Sequence, residues 1–192
     1  MAETQTDAAT LERLLEISSL LNSTLKLDEL LGEIMSSATE LTGAETSSLL
    51  LLDEEAGELT VEIATGKPGE AVMRQQVPAG QGIAGWVVEN GESVVVDDPK
   101  SDERFYGGID EKTGFETRNM LAVPMKTKDR TIGVIEAINK SDGSFDERDE
   151  KVTTALANQA AIAIENARLY ERLADAVVSS RMSYRTFGDT VA

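Results

Sequence analysis

Residues 46 to 53, "TSSLLLLD", end in four consecutive leucines before an aspartate. An unbroken apolar run of that length belongs in the middle of a sheet, where it has neighbours on both sides, rather than at an edge. The next apolar stretch, "LTVEIAT" (59 to 65), follows across "EEAGE", whose glycine supplies the positive backbone angle of a hairpin turn. A second strand pair is expected at "NMLAVPMKT" and "TIGVIEAINK", separated by the turn "KDR". Between the pairs, "GKPGEAVMRQQVPAG" reads as a loop with a short strand around "MRQQV", "QGIAGWVVENG" as a short helix, and "ESVVVDDP" as a brief strand stopped by Pro99. "SDERFYGGIDEKTGF" reads as a capped turn of helix followed by a glycine-broken loop.

Helices are expected at both ends. Residues 1 to 9 are polar and read as a disordered start, after which Leu11, Leu14, Leu15, Ser18, Leu21 and Leu25 recur at helical spacing over 10 to 25. A second helix covers "KLDELLGEIMSSATELTG", with Asp28 as its cap, one stripe of Leu30, Leu31, Ile34, Met35, Ala38 and Leu41, and Gly43 at its end. From Asp146 a long helix is expected to about Val178, carrying Leu156, Ala160, Ala163, Ala167, Tyr170, Ala174 and Val177 at four-three spacing. That spacing suits a seam for a partner helix, and its first half serves equally well to cover the sheet. Beyond Ala167 the partner is the first helix, the same helix of a second subunit, or both, which predicts a homodimer. The polar end "SSRMSYRTFGDTVA" is expected to be a loose tail.

With 192 residues, 41% of them apolar, one compact α+β domain with helical extensions is expected. The 35 acidic against 18 basic residues leave a formal charge of −17, which repels phosphate backbones and anionic lipid. Neither nucleic acid nor a membrane surface is an expected partner, although a small anion held locally is compatible with that charge. The chain has no Cys and no His. Thiolate chemistry, most catalytic triads and the commonest zinc and haem ligands are thereby removed, and no metal site is expected. Met35, Met73, Met120 and Met125 read as packing residues, and adjacent pairs such as Asp97 and Asp98 point opposite ways in an extended segment. The amino terminus has neither a basic start nor a continuous apolar stretch, so a cytoplasmic location is the default.

Four motifs, "GQGIAGWVVENGESVVVDDP", "TGFETRNMLAVPM", "IGVIEAINK" and "ALANQAAIAIENARLY", occur in an order that resembles a GAF domain over residues 26 to 170. The resemblance implies a six-stranded antiparallel sheet with the N- and C-terminal helices on one face and a ligand pocket on the other, with 171 to 192 as helix extension and tail. It implies a sensory and dimerising domain of signal transduction. The subset that binds cyclic nucleotides has a further pattern, matched here by Asn139, Lys140, Phe145, Asp149 and Glu150. In it, an ion pair between Lys140 and Asp149 is expected to pin the last strand to the last helix, the plainer alternative being a solvated pair.

By the same resemblance, Ser48 offers a hydroxyl to a purine edge, and the amides of Ile83 and Ala84 face the cyclic phosphate. Tyr106 walls the ribose and phosphate side, Asp110, Thr113 and Thr117 reach in from a short helix and lid over 101 to 119, and Glu136 points inward at the far end. Amides at a helix start suit phosphate binding in an acidic protein, because no basic cluster is needed. Each polar residue has a plainer use: Thr113 capping a turn, Thr117 and Asn119 satisfying loop backbone, Asp110 at a helix end facing water. Trp86 is expected to pack within the "GIAGW" helix. One departure concerns the ligand: cyclic-GMP binders often present an aromatic residue and an Asp after the second strand, and this chain has "IATGKPGE" there. The expectation is a non-enzymatic sensor of a cyclic nucleotide, cGMP or cAMP, with no covalent cofactor, acting on a downstream signalling protein or domain. The alternative is a ligand-free dimerisation or docking module. Reduction of methionine sulfoxide, known in some GAF domains, uses cysteines that this chain lacks.

Overall fold

The computed structural model describes residues 24–66, 69–78, 80–128 and 130–188. Nearly all of the expected first helix, the polar start and the last four residues lie outside them. The described chain runs α1 (Thr24–Thr42), β1 (Ala44–Leu52), β2 (Leu59–Ala64), α2 (Gly69–Val72), β3 (Gln76–Val77), α3 (Gly82–Asn90) and β4 (Val94–Val96). A 3₁₀ turn (Pro99–Ser101), α4 (Gly108–Thr113), β5 (Met120–Lys126), β6 (Thr131–Lys140) and α5 (Glu147–Gly188) complete it. The chain divides into two compact units, Leu30–Ile162 and the pair of end segments Met1–Glu29 and Ala163–Ala192. The first contains the whole sheet. Of the second, the described parts are helical: 24–29 begin α1 and 163–188 continue α5.

The six strands form one antiparallel sheet in the order β3-β2-β1-β6-β5-β4. As the leucine run requires, β1 is interior, paired to β2 on one side and β6 on the other, with Leu49 and Leu50 buried. Successive side chains alternate between faces. Ser47 therefore faces α1, donating its hydroxyl to the Met35 carbonyl at 2.7 Å, while its neighbour Ser48 faces the other way. Thr39 of α1 bonds both Ser47 and Thr65 at 2.8 Å, fixing that helix against the β1–β2 hairpin. Pro124 is tolerated within β5 because β4 pairs only with Met120 to Ala122, so at Pro124 the strand has become an edge. At Gly133 the strands come so close that an added Cβ would stand 2.2 Å from the Leu50 carbonyl oxygen.

Helix α1 begins at or before Thr24, so Asp28 is an interior helical residue and not a cap. Its buried face is Leu31, Ile34, Met35, Ala38 and Thr42; Leu30 and Leu41, expected in the same stripe, are exposed. The expected glycine-broken loop after Tyr106 contains α4, and "EAV" ahead of the expected short strand belongs to α2. Helix α5 runs on to Gly188, so residues 179–188 are helical and not a loose tail. Among the described side chains of α5, the large apolar ones left exposed are Ile162, Leu169, Tyr170 and Leu173. Of the expected seam only Tyr170 is among them; Ala160 is buried, Leu156, Ala163, Ala167 and Ala174 are half-buried, and the side chain of Val177 lies outside the description.

The start of α5 shows what the five-residue pattern does. Lys140, at the end of β6, pairs with Asp149 in the first turn of α5, and both side chains are largely buried. The Asp149 carboxylate also accepts the Asp146 N–H at 2.9 Å. Glu150 accepts the Ser93 hydroxyl, tying α5 to the segment that leads into β4, and Phe145 is buried beneath Lys140, whose ammonium lies 5.9 Å from its ring centroid. Asn139 has a positive φ of 60°. Its side chain accepts the Arg118 N–H at 2.7 Å and donates to the Glu116 carbonyl at 2.9 Å, so it anchors the segment entering β5.

Candidate functional site

On the sheet face away from α1, Thr46 and Ser48 of β1, Val61 and Ala64 of β2, and Glu136 and Ile138 of β6 floor a cavity of about 700 Å³, part of it open to solvent. The wall is mainly apolar, and its polar groups are concentrated at a few places.

The start of α3 is one. Gly82, Ile83 and Ala84 line the cavity, and no side chain caps the helix at Gln81. Those positions carry the N–H groups that an α-helix leaves without intrahelical acceptors, at the positive end of its dipole. Gly82 is required there: its φ is +76°, and an added Cβ would stand 3.1 Å from Cβ of Tyr106. Gly108 makes room for the same tyrosine, since a Cβ on it would meet the phenol ring at 2.5 Å. Two glycines from separate elements thus seat Tyr106 beside the start of α3.

The segment 105 to 117 closes one side, contributing Phe105, Tyr106, Ile109, Asp110, Phe115 and Thr117 to the wall. Thr117 is buried, and its polar capacity is already engaged: its N–H donates to Asp110 Oδ2 at 2.8 Å and its hydroxyl to Oδ1 at 2.9 Å. Thr113 lies outside the wall. Its hydroxyl donates to the Ile109 carbonyl at 2.8 Å and accepts the Phe115 N–H at 3.3 Å, which is the turn-capping use.

Ser48 and Glu136 face each other across the β1–β6 ladder, and the Ser48 hydroxyl donates to Glu136 Oε2 at 3.0 Å. Glu136 is half-buried by accessibility yet deep in the protein, because the surface it shows is cavity wall. Burial pushes its pKa up to about 7; the Ser48 hydrogen bond acts against that rise and the Asp110 carboxylate adds to it.

Seven of the eight sequence-derived positions, Ser48, Ile83, Ala84, Tyr106, Asp110, Thr117 and Glu136, therefore line one cavity. Phe105 and Phe115 were missed. They supply aromatic surface from the 105 to 117 segment, whereas the sequence comparison sought it after β2, and their visible signal was their place beside the glycines of "RFYGG" and "TGF". Trp86 is not in the wall; the Arg104 guanidinium lies 4.8 Å from its ring centroid. Among the described residues no cluster of carboxylates could hold a metal ion, and no helix is long and apolar enough to cross a membrane.

A family model described as GAF domain matches residues 24–165. The chain is 34% identical over 170 residues to a dual 3′,5′-cyclic-AMP and -GMP phosphodiesterase 11A of Takifugu rubripes, covering 83% of this chain and 19% of that protein. It is 28% identical over 164 residues to a probable 3′,5′-cyclic phosphodiesterase, pde-5, of Caenorhabditis elegans, covering 81% and 22%. The chain thus spans about a fifth of the length of these relatives. In fold it is similar to the GAF domain of a phosphoenolpyruvate-protein phosphotransferase from Coxiella burnetii, with a TM-score of 0.70 at 21% identity over 86% of this chain and 98% of that one.

Proposed function

The chain belongs to the GAF domain family, and from that premise we propose that it is a non-catalytic sensory domain that takes a cyclic nucleotide into the cavity and passes occupancy on through its terminal helices in a homodimer. The supporting observation is that seven of the positions the family resemblance names line a single cavity wall. The chemistry fits a cyclic nucleotide. The unpartnered amides at the start of α3 suit the phosphate, the aromatic and aliphatic wall suits a flat ring, and Ser48 with Glu136 offers hydrogen bonds to a ring edge. The segment 105 to 117 contributes a third of the wall and leads through Asn139 to the end of β6 and the root of α5. A ligand that holds this segment in one arrangement acts on the joint between sheet and long helix. Its effect is limited to the difference in its affinity for the two arrangements.

A ligand-free docking module is the second reading. It is favoured by the way Asp110 and Thr117 satisfy each other. Thermal melts with cyclic AMP, cyclic GMP and their linear monophosphates separate the two. A ligand at a hundred times its Kd adds about 2.7 kcal/mol, which raises the Tm by roughly 5 to 10 °C for a domain of this size. A rise with a cyclic nucleotide and none with the linear forms is expected. No rise with any of them overturns the sensor reading in favour of the docking module.

A further inference from the structure

Among the described residues Ser48 is the one donor to the Glu136 carboxyl group, and the rest of that group's hydrogen-bonding capacity faces the cavity it lines. The other ionisable side chains on the wall are Asp110 from α4 and Tyr106 from the segment before it; β1, β2, α2, β3, α3 and β5 bring only uncharged ones, and no Lys or Arg is present. A carboxylate at Glu136 would thus have a single hydroxyl for support and a second carboxylate for a neighbour, in a partly desolvated cavity. An arriving phosphate adds another negative charge. The desolvation, the Asp110 carboxylate and the phosphate each favour the neutral acid over the anion, in accord with the rise of its pKa to about 7.

The two protonation states read different ring edges. A carboxylic acid donates through O–H and accepts through its carbonyl, so it complements a ring nitrogen acceptor beside an amino donor. A carboxylate only accepts, and complements a ring N–H beside an amino group. Among purines the first edge is adenine's and the second guanine's. Resting on the reading of the cavity as a cyclic-nucleotide site, we propose that Glu136 sets its base preference: held as the acid by its surroundings, it selects an adenine-type edge over the donor-donor edge of guanine. Ionisation removes the donor and inverts the preference, so the same residue makes selectivity depend on pH.

The test is titration calorimetry of the full chain with cyclic AMP and with cyclic GMP, at about one pH unit on either side of neutrality, for the natural sequence and for Glu136→Gln. Neither nucleotide changes its own protonation there. The natural sequence is expected to favour cyclic AMP by about tenfold at the lower pH, with the preference lost or reversed at the higher. Glutamine carries a donor and an acceptor at every pH, so E136Q is expected to keep the cyclic AMP preference at both. Ser48→Ala removes the hydroxyl that supports the carboxylate, and should move the crossover to higher pH; this keeps the proposal testable if E136Q fails to fold. A cyclic AMP to cyclic GMP ratio that does not move with pH in the natural sequence, or a cyclic GMP preference at the lower pH, overturns the proposal and leaves the sensor reading standing. Absence of binding by both nucleotides overturns the sensor reading, and this proposal with it.

Discussion

Thr117 holds both carboxylate oxygens of Asp110, its hydroxyl donating to Oδ1 at 2.9 Å and its backbone N–H to Oδ2 at 2.8 Å. The pair joins the first turn of α4 to the segment entering β5, and so closes 110 to 117 into a loop. Thr117→Val keeps the shape and the backbone donor and loses one hydrogen bond; about 1 kcal/mol of stability should go with it. Asp110→Ala strands both donors, the N–H and hydroxyl of the buried Thr117, and should cost about 2 kcal/mol. Amide exchange over 108 to 117 should quicken in the same order. Equal effects of the two substitutions would contradict this assignment.

Lys140 and Asp149 differ in what their removal strands. Asp149 holds the ammonium and the Asp146 N–H together, so Asp149→Ala leaves a largely buried cation and an unpaired cap. A loss of about 3 kcal/mol is expected, near the value for breaking a buried pair. Lys140→Met leaves Asp149 with its backbone donor and retains packing over Phe145, and a smaller loss than for Asp149→Ala is expected. Denaturant melts of the two variants decide it; a costlier Lys140→Met would show that the cap contributes little.

Glu136 predicts the sign of a stability change with pH. Its folded-state pKa is raised to about 7 from an ordinary value of 4.5, so between those values the folded chain binds more protons than the unfolded one. Stability from this group is fully present below about pH 4.5 and falls as pH rises toward 7, by about 3 kcal/mol in all. Asp102, lowered mainly by its hydrogen bond from Arg104, acts in the opposite sense, but only at pH values below the usual carboxylate range. The decline between pH 4.5 and 7 should therefore be absent in Glu136→Gln. Chemical denaturation across that range tests it, and an unchanged slope in the variant would sink the assignment.

Arg104, whose guanidinium lies 4.8 Å from the Trp86 ring centroid, is held there by two hydrogen bonds to Asp102, at 2.9 and 2.7 Å. Because Trp86 is the only tryptophan, its emission isolates that contact. Arg104→Ala should shift the emission and cost about 0.5 to 1 kcal/mol, the range for an exposed cation–π pair. Arg104→Lys, which cannot reproduce the planar two-bond fork, should shift it nearly as far. An emission spectrum indifferent to both would mean that the contact between Arg104 and Trp86 is not maintained in solution.

Where expectation and structure agree, the signal was local. The β1 and β6 segments are apolar runs bounded by turn residues, and the glycine-rich start of α3 is marked by its own composition. Misreadings arose where local signals compete. Gly107 and Gly108 argue for a loop, yet a helix starts at Gly108, and the glycine there leaves the space that the Tyr106 ring occupies. Leu30 and Leu41 fit a helical stripe by spacing, yet the packed face of α1 is narrower and leaves them out. Thr113 and Thr117 look alike in the sequence, and only the fold turns one into a cap and the other into a buried latch.

Periodicity and composition were enough for the strand segments, the interior place of β1 and the exclusion of thiol and imidazole chemistry, because each depends on residue type and near neighbours alone. Which hydroxyl meets which carboxylate is of another kind. Ser48 and Glu136 are 88 positions apart, and Asp110 reaches the same cavity from a third element. The proton on Glu136 is set by the desolvation and charge that these distant segments impose together, and that environment exists only once β1, β6 and α4 have been brought around one cavity.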